Sequence, residues 1–83
     1  MNLELIQNVI TNIEKGDNYL NYFSVISDEI NKIIIKESSS DFLNQSKEMD
    51  IWEKISNAEI SENPEQTYPK QIFLNDLKEL LKK

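Results

Sequence analysis

The 83-residue chain has no cysteine, no histidine and no arginine, and each absence removes a class of chemistry. Without cysteine there is no disulfide framework, no thiolate nucleophile and no thiolate metal site. Without histidine there is no imidazole base and no zinc-finger or Glu-x-x-His ligand set. All nine basic residues are lysine against fifteen acids, a net charge of -6, so a direct reader of nucleic acid would lack both positive charge and the bidentate guanidinium fork. The single glycine, Gly16, rules out a phosphate-cradling glycine loop, which needs several glycines ahead of a helix. No apolar run approaches the roughly 20 residues that span a bilayer. The opening MNLELIQNVI carries acid where a secretory leader carries lysine or arginine, which leads to the expectation of a cytoplasmic protein with no membrane partner.

What remains is a chain of one-domain length, 39% hydrophobic, whose apolar residues recur at helical spacing. Leu3, Ile6, Val9, Ile10 and Ile13 form one stripe ending at Gly16, which tolerates the backbone conformation that closes a helix. Asp17 is placed to cap the next helix, expected over about Asn18 to Lys36, with Tyr19, Phe23, Ile26, Ile30 and Ile33 on one face. Ser38 to Ser40 interrupt the pattern, and Ser39 or Ser40 can cap a third helix from about Asp41 to Glu59. Phe42, Met49, Trp52 and Ile55 mark its apolar face, while Asn44, Gln45 and Ser46 dilute its first turns, so a kink is expected near Ser46. Ile60 to Tyr68 reads as a loop. Pro69 suits the first position of a last helix whose stripe is Ile72, Phe73, Leu77, Leu80 and Leu81. Four amphipathic segments can bury their stripes only against one another, which predicts a single all-α domain over 1–83, a compact four-helix antiparallel bundle.

Paired carboxylates are the only acid-base apparatus available. The clusters Asp28/Glu29, Glu48/Asp50/Glu53 and Glu59/Glu62/Glu65 read first as solvated faces, since nothing in the sequence marks a pocket that would raise one carboxyl's pKa. No EF-hand spacing accompanies them, and no metal or cofactor is expected. An enzyme is therefore not expected.

Charge placement is more informative than charge total. Residues 1–40 carry net -3, residues 41–65 carry seven acids and two lysines for net -5, and residues 66–83 carry net +2. A one-sided negative surface of this kind attracts a basic partner and speeds encounter at low salt. The candidate contact residues are Asp41, Glu48, Asp50, Glu53, Glu59, Glu62 and Glu65, with Tyr68 as an aromatic anchor beside them. Asp28 and Glu29 form a rival face. Trp52 is spaced as a core residue with Met49 and Ile55.

The layout resembles the colicin D-type immunity proteins and the related helical immunity proteins of bacterial contact-dependent inhibition systems. The resemblance lies in a short first helix LIQNVITNIEKG, a second containing YLNYFSVI, a third with the Ile51-Trp52 pair and Ala58, an acidic proline-containing loop, Tyr68, and a closing helix LNDLKELL. It implies a non-catalytic protein that binds and neutralises a cognate toxin, often a nuclease that cleaves transfer RNA. Such a toxin presents cations toward phosphates, so carboxylates can take the place of phosphates in its groove. The expected state is a monomer or weak dimer. Two other readings share the composition: a small helical adaptor that docks an apolar stripe on a larger protein, and a phage-type inhibitor of host nucleic-acid enzymes.

Overall fold

The computed structural model describes residues 2–36 and 46–82. Among these residues the chain is all-α, with no strand. The long helices are α1 (Leu3–Glu14), α2 (Phe23–Lys36), α3 (Lys47–Ile60) and α5 (Lys70–Leu81); α4 (Pro64–Thr67) is a single turn between α3 and α5.

Local chemistry sets the ends of these helices. The Asn2 side chain accepts from the Leu5 backbone N–H at 3.1 Å, satisfying one of the free donors at the start of α1. At its other end Gly16 donates to the Ile13 carbonyl and Asp17 to the Asn12 carbonyl, the paired bonds of a Schellman closure. Gly16 sits at φ +122°, a backbone conformation that explains why the one glycine is here. The second helical segment departs from expectation in its first turn: Tyr19–Tyr22 is a 3-10 turn capped by Asn18, not Asp17, before α2 begins. Asp17 instead accepts from the Tyr22 hydroxyl at 2.6 Å.

The expected kink near Ser46 is replaced by a helix start. Ser46 is extended and its hydroxyl accepts from the Met49 N–H, so no helix runs through it. Ser39, Ser40 and Asp41 lie outside the described residues. The expected loop at 60–68 contains α4, with Pro64 in the first turn, where a missing N–H costs little. Pro69 stands one position earlier than expected, as the cap residue of α5.

One hydrophobic cluster draws on every long helix. α1 packs against α5, α2 against α3, and α3 also against α5. Ile6, Ile10 and Ile13, Ile26 and Ile30, Ile51 and Ile55, and Leu77 and Leu80 supply its aliphatic part. At its centre Tyr19, Phe23, Tyr68 and Phe73 form a ring cluster with centroids 5.2 to 5.9 Å apart, mostly edge-to-face. Such pairs add about 0.5–1.5 kcal/mol each beyond the area they bury. Trp52 packs partly buried against the hydrophobic core, and its Nε1–H is buried with no hydrogen-bond partner among the described residues. Ile72 and Leu3, expected in the apolar stripes, are 45% and 46% exposed and lie at the margins.

Candidate functional site

The acids of α3 and its connection do not form one face. At 3.6 residues per turn, Asp50 and Glu59 fall on opposite sides of α3. Glu48 is buried in the first helical turn, so it is removed from any surface contact. Asp50 is exposed but engaged, pairing with Lys47 at 3.5 Å and Lys54 at 3.1 Å. Glu53, Glu59, Glu62 and Glu65 are exposed and make no ion pair with any described residue. Three of these four, Glu59, Glu62 and Glu65, lie at the end of α3 and along the connection through α4. Asp41 lies outside the described residues. On the rival face, Glu29 is buried, pairs with Lys32 at 3.0 Å, and is held below the ordinary carboxylate pKa by that hydrogen bond. Asp28 remains exposed beside it.

Tyr68 is a core residue, not a surface anchor: it is 1% exposed, its ring lies in the aromatic cluster and its carbonyl accepts from the Tyr19 hydroxyl at 2.8 Å. A single tyrosine after a polar loop carries no sequence mark of which way its ring points.

The structure's most developed polar arrangement centres on Asp76, which is 5% exposed on the inner side of α5. Its Oδ2 accepts from the Tyr68 hydroxyl at 2.6 Å and from Lys54 Nζ at 3.1 Å, and its Oδ1 pairs with Lys47 Nζ at 2.8 Å. Lys47 also reaches Glu79 at 3.3 Å, and Lys54 lies over the Tyr68 ring at 5.7 Å. Burial pushes the Asp76 carboxyl up, but the hydrogen bonds from Lys47, Tyr68 and Lys54 outweigh it and hold the pKa below the ordinary 3.8. The bond to Asp76 raises Lys47 above its ordinary 10.5, and burial followed by the Asp76 bond raises the Tyr68 phenol. Sequence reasoning missed this network, although Asp76 left a trace: it sits among Phe73, Leu77 and Leu80 at the spacing of their stripe. An acid at a core position is expected to bring partners.

An open cleft of about 440 Å³ lies between the turn after α1 and the α4–α5 junction, lined by Asp17, Asn18, Tyr19, Glu65, Pro69 and Lys70. Burial and the Glu65 charge hold the Tyr19 phenol above its ordinary 10.0. Carboxylates and an ammonium share the rim, so the cleft favours neither sign strongly. Among the described residues no group of three or more acids is disposed to hold a metal ion, and no helix is long and apolar enough to cross a membrane.

No protein-family model, curated protein or solved structure matches the chain.

Proposed function

We propose that this is a toxin-neutralising immunity protein that acts in the cytoplasm by covering the substrate groove of a basic, RNA-cleaving toxin domain with carboxylates. The supporting observation is that Glu53, Glu59, Glu62 and Glu65 are exposed without an ion pair to any described residue, while both lysines of residues 41–65 are turned onto Asp76. Phosphate-binding cations on such a toxin would meet carboxylates held on a packed helical scaffold, which favours fast association and excludes RNA from the groove. We read that scaffold as an antiparallel four-helix bundle with α4 as an inserted turn, and the protein as a monomer or weak dimer that needs no cofactor. Contact centres on the end of α3 and on α4, with Glu53 as an outlying member.

The test is protection in cells. A toxin encoded by the adjacent reading frame should arrest growth when expressed alone and not when this chain is co-expressed. A chain with Glu59→Gln, Glu62→Gln and Glu65→Gln together should protect less. Growth that is normal with the neighbouring product unopposed contradicts the function. Full protection by the triple variant removes the end of α3 from the contact.

One observation favours the adaptor reading. Ile60 is 85% exposed at the tip of α3, next to Glu59 and near Glu62, where an apolar contact could form. A single exposed isoleucine is ordinary on a protein surface, which places this reading second.

A further inference from the structure

Lys47 and Lys54 are the only cations in residues 41–65, where seven acids accompany them. Both stand with Asp50 on the flank of α3 that faces α5, far round the helix from Glu59, and both reach one carboxylate that is itself buried. We propose that Asp76 is a positioning residue for the anionic surface: it holds Lys47 and Lys54 against α5 and away from Glu53, so the outer side of α3 presents a single sign of charge. The consequence for a basic partner rests on the toxin-binding reading above; the placement of the lysines does not.

Each ammonium has a second anchor, but those anchors are weak or shared. Asp50, 48% exposed on its side chain, is common to both lysines, and Glu79, 58% exposed, reaches only Lys47. Exposed pairs hold little against solvent and salt. Without Asp76, only the exposed carboxylates of Asp50 and Glu79 would face two ammonium groups on flexible four-carbon stems, which extend readily into water. Tyr68 completes the device, since its hydroxyl fixes Asp76 Oδ2 and its ring lies under the Lys54 ammonium. A polar core group thereby controls the charge of a surface that it does not itself reach.

Amine labelling tests the placement directly. With sulfo-N-hydroxysuccinimide acetate at neutral pH and peptide mapping by mass spectrometry, Lys47 and Lys54, whose ammonium groups are held on Asp76, should acetylate several-fold more slowly than the exposed Lys70. In Asp76→Asn both should approach the Lys70 rate. Glu79→Gln makes the same charge change and should leave Lys54 slow. Wild-type rates equal to that of Lys70 would overturn the proposal even if Asp76→Asn failed to fold, as would unchanged slow rates in a folded Asp76→Asn chain. A second arm uses nona-arginine peptide as a cationic probe. Asp76→Asn should bind it several-fold more weakly than Glu79→Gln does, and adding Lys47→Gln and Lys54→Gln to Asp76→Asn should restore binding. Failure to restore it overturns lysine release as the cause. A wild-type chain that does not bind the probe counts against the toxin-binding reading and leaves the labelling result to decide the placement.

Discussion

The Tyr68 hydroxyl donates to Asp76 Oδ2 at 2.6 Å inside the core, tying the residue just before the α5 cap to the middle of that helix. Lys47 and Lys54 close on the same carboxylate from α3, so one buried acid joins two helices and the segment between them.

Tyr68→Phe keeps the ring in the aromatic cluster and removes only the hydroxyl. A hydrogen bond to a charged group is worth about 1.5–3 kcal/mol, and Asp76 keeps its two lysines, so the expected loss is about 1–2 kcal/mol in a urea titration. An unchanged midpoint would show that the bond contributes nothing net.

Asp76→Asn removes the charge that satisfies two ammonium groups. Breaking a buried pair costs about 3–5 kcal/mol, reduced here because both lysines keep partial contact with water and with Asp50, so about 2–4 kcal/mol is expected. The loss should exceed that of Glu79→Gln, whose carboxylate is exposed. Equal losses would contradict the central place of Asp76.

Stability should depend on pH at both ends. Asp76 is held below 3.8 in the folded chain, so its contribution is complete above that value and lost as pH falls through the folded value. Lys47 is raised above 10.5 and Tyr68 above 10.0, so their contributions are complete below those values and lost as pH rises through the folded ones. Denaturation midpoints across pH should show a plateau with two falling limbs, and Asp76→Asn should flatten the acid limb. An acid limb unchanged in Asp76→Asn would contradict this assignment.

Much of the core can be inferred from spacing alone. The stripes Ile6/Val9/Ile10/Ile13 and Phe73/Leu77/Leu80 are buried as their periodicity implies, because an amphipathic helix has one economical way to hide its apolar side. Other features depend on contacts that periodicity does not encode. The turn Pro64–Thr67 is too short to show a period. Glu48 reads as one more surface acid, yet it stands at the helical spacing of Ile51, Ile55 and Ala58 and is buried on their side of α3. The candidate acids are contiguous in sequence but divided in space, and Asp50 is paired by lysines whose direction is set by Asp76, more than twenty residues away. Ion pairs between distant elements follow from packing and not from local pattern.

Gly16→Ala should destabilise by about 1–3 kcal/mol, because the space beside Gly16 is open and only its φ of +122° opposes a side chain. Thermal or urea unfolding would check it. A neutral or stabilising result would mean that the turn relaxes to a conformation alanine tolerates.

Ile55 and Ile60 lie on the same helix, 0% and 85% exposed. Ile55→Ala should cost about 2–5 kcal/mol by leaving a cavity, and Ile60→Ala should change stability by no more than about 0.5 kcal/mol. Comparable losses at the two sites would contradict the orientation of α3.

The most direct test of the proposed carboxylate surface is the association rate with the product of the adjacent reading frame, measured across ionic strength. The account predicts a rate that falls steeply with salt, and a chain with Glu53, Glu59, Glu62 and Glu65 all changed to glutamine that associates at least about tenfold more slowly at low salt with little remaining salt dependence. A rate that ignores salt, with the four-glutamine chain binding as fast as the wild type, would contradict it.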